Sequence, residues 1–285
     1  MKNVLRTLIF DSQVSLTLID ATAIVQEAIK LHKLKKTSAV LLGKALSAMT
    51  FTSACLKQER GEISLSLQSD GVCGNIGVSG NYALSLRGFI ENTNIEAEAD
   101  ESACLGENGV ITIIRDDGYR RPFVGTCAIP KGGDLDEAFR AYYTESEQLP
   151  TRLKTVVEID ENGCCTFAGV VVLQPLPFAN ETALKAYEES DLRALINGVK
   201  TKGLEDTAKD FFKADKENND VWELRTAVYK CNCSKSYISR VLVTLGESEL
   251  LKLIEEDGSV KIHCHYCNRD YEFTEKDARE IFNKS

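Results

Sequence analysis

The chain has 285 residues, 43% of them apolar and 27% charged, with a formal net charge of −9 and a pI near 5.1. That length holds one large core and a smaller second domain, and the composition is that of an ordinary soluble globular protein. The acidic balance argues against a surface built for nucleic acid, whose phosphates require basic patches, and would equally repel an anionic membrane.

Near the N-terminus, Lys2 and Arg6 precede a brief apolar run that Asp11 interrupts. The run is too short for a secretory leader, so none is expected and a cytoplasmic location is. LRTLIFDSQVSLTLID alternates, with Val14, Leu16 and Leu18 on one face, and predicts a hairpin. From Thr22 the spacing of Ile24, Val25, Ala28 and Ile29 is helical, and His32 at its end reads as an ordinary surface histidine. SAVLLGKALSAMTFTSACL, Ser38 to Leu56, is the strongest membrane candidate, but Lys44 and several hydroxyls favour a buried helix.

A strand-rich stretch follows Gly61: ISLSLQ, VCGNIGVS, ALSLRGFI, GVITIIRDDG and RPFVGTCAI. Ile63, Leu65 and Leu67 alternate with polar residues, as one wet and one buried face require. LDEAFRAYYTESEQ reads as a helix, and TRLKTVVEID with CTFAGVVVLQ as a hairpin through ENG. The first domain, 1–178, is therefore α+β, a mixed sheet with helices, closing where Pro175 and Pro177 punctuate PLPFAN.

Composition then shifts. Ala179 to Lys230 carries nine basic and eleven acidic residues. Leu184, Leu192, Leu195, Ile196 and Val199 mark one helical face and Leu204, Ala208, Phe211 and Phe212 another, before the run DKENND and the segment VWELRTAV. Residues 179–229 are read as a charged helical linker of short amphipathic helices that either packs on the core or detaches from it.

The last segment, 230–285, is a compact cysteine domain. Ile238, Val241, Leu242 and Leu245 predict a helix stopped by Gly246, and ESELLKLIEED a second stopped by Gly258. SVKIHCHYCNRDYEF reads as a hairpin, and Thr274 with Asp277 as a capping box for a last helix. Cys231 and Cys233 form a CxC; Cys264 and Cys267 form a CxxC thirty residues on. Residues two apart on an extended chain share a face, and a CxxC turn converges its sulfurs from a knuckle, where Asn268 can accept a positive φ. Two such pairs complete a closed, four-thiolate zinc site. So small a module has too little core to be secure alone, and metal ligation would supply much of its stability.

Redox use of the same sulfurs has its own geometry. A CxxC closes readily, whereas the α-carbons of an extended CxC lie roughly 6.5–7 Å apart, at the outer limit for a disulfide. His263 and His265 flank Cys264 and, as strand neighbours of a ligand, are expected to point away from the sulfurs. Cys55, Cys73, Cys104, Cys127, Cys164 and Cys165 read as small buried hydrophobes. No phosphate loop, HExxH or GxSxG occurs, and three histidines offer few catalytic bases, so no enzyme is expected. A thiol–disulfide oxidoreductase and a zinc-dependent nucleic-acid module stand as the alternatives.

CNCSKSYISRVLVTLGESELLKLIEEDGSVKIHCHYCNRDYEF resembles the redox-regulated chaperones of the heat-shock protein 33 family. TSAVLLGKALSAMTF, GEISLSLQSDG, LRGFIE, YYTESEQLPT and AGVVVLQPLP resemble that family's recurrent segments in the same order, so the resemblance spans nearly the whole chain. It implies an ATP-independent holdase, inactive while Cys231, Cys233, Cys264 and Cys267 hold one zinc ion. Oxidation would form the disulfides Cys231–Cys233 and Cys264–Cys267, release zinc, unfold the linker and uncover sites for unfolding client proteins, with a homodimer as the active form. The additional cysteines of the first domain depart from the family's pattern.

Overall fold

The structure, a computed structural model, describes residues 2–95, 100–212 and 222–283. The run DKENND and the side chains of Phe211 and Phe212 lie outside the described residues. The chain divides into two compact units, Met1–Lys230 and Cys231–Ser285.

The first unit opens with β1 (Val4–Ile9) and β2 (Val14–Asp20), the expected hairpin, in register from Val4↔Ile19 to Ile9↔Val14. Helices α1 (Thr22–His32) and α2 (Lys36–Ala54) follow. α2 buries 16 of its 19 residues, the condition that produces a helix apolar all round. Its hydroxyls are tolerated because Ser47, Thr50 and Thr52 donate to the carbonyls of Gly43, Leu46 and Ala48 one turn back, at 2.8, 2.8 and 3.0 Å. Lys44 is ion-paired with Glu101. Among the described residues no helix is long and apolar enough to cross a membrane.

Next come β3 (Glu62–Gln68), β4 (Ile76–Asn81), β5 (Ser85–Ile90), a short α3 (Glu101–Leu105), β6 (Val110–Asp116) and β7 (Phe123–Ala128). α3 spans only five residues, too few for a helical period to show in the sequence. α4 (Leu135–Glu145) starts at a capping box in which Asp134 and Glu137 each accept the other's backbone N–H. β8 (Arg152–Ile159) and β9 (Cys165–Pro175) form the second expected hairpin. The charged segment supplies α5 (Glu181–Glu189), α6 (Leu192–Lys202) and α7 (Leu204–Phe212), then β10 (Trp222–Arg225) and β11 (Val228–Tyr229).

Within VWELRTAV, Trp222–Arg225 and Val228 are thus strand rather than helix, and Val221 lies outside the described residues. β10 pairs antiparallel with β1, and β11 parallel with β5. Both β1 and β5 otherwise present an open edge whose N–H and C=O groups need partners, and that demand overrides a local helical pattern. The resulting sheets run β10-β1-β2-β9-β8 and β11-β5-β4-β3-β6-β7.

α2 packs against strands of both sheets, and one continuous core joins it to α1, α4 and the inner faces. The outer face of the five-stranded sheet is also buried. Leu5, Leu16, Leu18, Phe167, Val171 and Leu173 form a second core with Ala183, Tyr187, Leu195, Ile196, Val199, Leu204 and Ala208 of α5–α7. The unbroken run AGVVVL on β9 follows from that sandwiching: Val170 and Val172 face the first core, Val171 and Leu173 the second.

The second unit holds α8 (Lys235–Val243), α9 (Glu247–Asp257), the hairpin β12 (Val260–Cys264) and β13 (Arg269–Phe273), and α10 (Glu275–Asn283). Gly258 ends α9 in the left-handed conformation at φ 79°, and its N–H bonds Ile254 at 2.8 Å. The box at α10 forms as expected: Asp277 accepts from the Thr274 amide at 2.9 Å and the hydroxyl at 2.8 Å. The core of this unit is Ile238, Leu242, Leu250, Ile254, Phe273 and Ala278.

Candidate metal centre

Cys231 and Cys233 lie on the irregular segment before α8, while Cys264 ends β12 and Cys267 sits in the turn to β13. The turn closes through hydrogen bonds from the Cys267 and Asn268 amides to the Cys264 carbonyl, at 3.2 and 2.8 Å. Asn268 follows at φ 54°, the left-handed conformation that asparagine tolerates. All four sulfurs lie within 4.8 Å of one another. Separations are 3.3 Å for Cys231–Cys233, 3.7 Å for Cys231–Cys264 and 3.1 Å for Cys233–Cys267. A tetrahedron of sulfurs at the zinc–thiolate distance has edges of roughly 3.8 Å, so the set fits one tetrahedral ion.

Tyr271, on β13, donates its hydroxyl to the Cys233 sulfur at 3.1 Å. Burial opposes ionisation of Cys233, but the bonds from Tyr271 and the neighbouring thiols outweigh it and bring the group down to about 7. Burial, with the bond to Cys233, pushes Cys267 upward; burial also raises Cys264. One sulfur in the cluster therefore ionises easily, and the protons on its neighbours leave when a cation takes their place. Sequence reasoning missed Tyr271, because only the register Ile262↔Tyr271 across the hairpin brings its ring to the sulfurs.

Both flanking histidines are exposed. His263 meets Asp270 through Nδ1 at 2.7 Å and the Asn268 Oδ1 through Nε2 at 3.2 Å, so both ring nitrogens are engaged away from the sulfurs. His32 is a correction to the sequence reading: it is 5% exposed. Its Nε2 lies 3.1 Å from the Tyr229 hydroxyl, which donates to the Gly88 carbonyl at 2.8 Å. The edge strand β11 carries that tyrosine over the end of α1, a placement that helical periodicity does not encode.

Of the remaining cysteines, Cys73, Cys104, Cys127 and Cys165 are buried as expected, and Cys55 is half-buried. Cys164 is exposed because it directly follows the ENG turn, which closes as Asp160 accepts its amide at 2.8 Å. Burial, then the Glu145 carboxylate, pushes Cys127 up to about 11. Burial, with Asp20 nearby, takes Cys165 up to about 12. Neither is a nucleophile at neutral pH. The CxxC lies in a hairpin turn rather than at a helix N-terminus, which removes the usual means of activating a catalytic dithiol.

Fold and site together define a two-unit α+β protein whose smaller unit gathers four thiols that could hold a metal ion. The model of the family described as Hsp33 protein matches residues 2–274, and the chain belongs to that family. The resemblance seen in the sequence is thereby shown. A 33 kDa chaperonin of Bacillus cytotoxicus is 30% identical over 284 residues, covering 97% of each chain. Another, of Clostridium perfringens, is 28% identical over 290 residues, covering 98% of this chain and 91% of the relative. The crystal structure of the 33 kDa chaperonin (heat shock protein 33 homolog) of Thermotoga maritima matches with a TM-score of 0.83 at 22% identity, covering 99% of this chain and 98% of that one. The family is one of chaperones rather than enzymes.

Proposed function

We propose that this protein is a cytoplasmic, redox-regulated, ATP-independent holdase that binds unfolding client proteins as a homodimer. The observation that carries the reading is the convergence of Cys231, Cys233, Cys264 and Cys267 in a unit whose hydrophobic core holds six buried side chains among its described residues. One zinc ion would bind the four thiolates together and supply the stability that so small a core lacks.

In the reduced state α5–α7 cover the outer face of the five-stranded sheet, and clients have no access to it. On oxidation, Cys231 pairs with Cys233 and Cys264 with Cys267. Each pair of thiolates gives two electrons to a peroxide, which takes two protons from solvent and leaves as two waters. Disulfide sulfurs carry no thiolate charge, so the set ceases to be a zinc site. The CxC pair also pulls its backbone toward the limit of disulfide geometry. The second unit then loses its organisation directly after β11, the last strand of the first unit. Loosening spreads through the 179–229 segment and uncovers Leu16, Leu18, Val171 and Leu173, residues buried beneath α5–α7.

The test measures bound zinc and suppression of client aggregation before and after peroxide. Oxidation is expected to release one zinc per chain and switch suppression on. Equal suppression by the reduced, zinc-loaded protein would sink the proposal.

A further inference from the structure

The turn after β3 and the C-terminal end of α3 interlock closely. The Cys73 amide donates to the Cys104 carbonyl at 3.1 Å. Ser69 Oγ donates to the Leu105 carbonyl at 2.8 Å and accepts from the Cys73 thiol at 3.4 Å. Asp70 accepts from the Asn108 amide at 3.1 Å and from its side-chain nitrogen at 2.6 Å. Between them, a Cβ on Gly71 would stand 2.2 Å from the Cys104 carbonyl oxygen, so only glycine lets the two backbones meet. Cys73 and Cys104 are both fully buried at this junction.

A single N–H···O bond of ordinary length sets the two α-carbons roughly 5–6.5 Å apart, inside the window that a disulfide spans. The side chains are also near enough that charge on Cys73 acts on the Cys104 thiol. We infer that Cys73 and Cys104 are a second redox pair, which a peroxide closes to a disulfide within the first unit. One thiolate attacks the peroxide oxygen, giving a sulfenic acid and releasing water. The second thiol displaces that oxygen as another water and forms the S–S bond. Two electrons and two protons leave the protein, and the peroxide is reduced.

Burial raises both thiols above their ordinary range, so this pair closes more slowly than exposed thiols react. The bond ties the β3–β4 turn to α3, in the unit that must stay folded while clients bind. It does not depend on the zinc cluster, and the two sets of thiols are scored separately.

The full-length chain, reduced and then treated with hydrogen peroxide in native buffer, is alkylated in denaturant and digested with trypsin without reductant. Cleavage after Arg60, Arg87 and Arg115 yields peptides 61–87 and 88–115, each with a single cysteine. The expected product is these two peptides joined, two hydrogens lighter than their sum, and absent from a Cys104→Ala variant, which returns Cys73 alkylated. Recovery of both peptides alkylated, once the exposed Cys164 has been consumed, overturns the inference. So does a Cys73–Cys104 link no more abundant than links of either peptide to other cysteines, because the junction would then confer no selectivity.

Discussion

Ile196 sits on α6, 5% exposed, in the core that α5–α7 make with the outer face of the five-stranded sheet. Replacing it with alanine removes three carbons from a buried site at the interface between segment and sheet. Buried Ile→Ala changes cost about 2–5 kcal/mol, and an interface that relaxes around the gap belongs at the low end, about 2–3 kcal/mol. If that loss falls on docking of the helices rather than on the sheet, the undocked population rises roughly 30- to 150-fold. Hydrogen exchange on the reduced, zinc-loaded protein should then show faster exchange across α6, with protection in β2 and β9 retained. Client aggregation should be partly suppressed without any oxidant. Asn197→Ala, on the exposed side of the same helix, is the matched control and should change neither. Faster exchange across α6 with no gain in suppression would refute the claim that these helices mask a client surface. Equal loss of protection in helix and sheet would refute the separability of the segment.

Chelating the metal from the reduced protein should abolish amide protection across residues 231–283 while the first unit keeps its own, and Cys267→Ser should do the same without a chelator; circular dichroism and hydrogen exchange report both. Asp277 is held down to about 2, first by the hydrogen bond from Lys235 and then by the Thr274 amide and hydroxyl. A depressed carboxylate stabilises fully above its unfolded value near 3.9 and loses that contribution as pH falls toward 2. Because Lys235 is exposed and Asp277 only partly buried, solvent screening holds the contribution to about 1 kcal/mol, and Asp277→Asn should lower stability at pH 7 by an amount that shrinks steadily as pH falls through 2 in acid-unfolding curves. Tyr229→Phe removes the hydroxyl that accepts from the Gly88 amide at 3.2 Å and donates to its carbonyl. Leaving those groups unmatched costs about 1–3 kcal/mol, and the Gly88 amide should exchange measurably faster, whereas an unchanged rate would show that the hydroxyl is not what holds β11 in place.

Much of this protein is written locally. Val14, Leu16 and Leu18 alternate because one sheet face requires it, and α2 after its first turn carries Lys44 as its one charge because the helix is enclosed between two sheets. The four cysteines were legible as one cluster because a CxC on extended chain and a CxxC in a turn each converge two sulfurs regardless of their surroundings. What the surroundings decide was not legible. VWELRTAV carries no clear strand signal, and β10 and β11 form there because β1 and β5 left open edges within reach. His32 has the neighbours of a surface residue, yet β11 covers it. Tyr271 reaches Cys233, and Cys73 meets Cys104, only because strand register and a glycine-thin junction bring distant segments together. Periodicity and short spacing encode what a side chain does to its own few neighbours. Which edge, cover or sulfur it meets depends on packing free energy summed over the whole fold, and that sum has no signature in any single stretch of sequence.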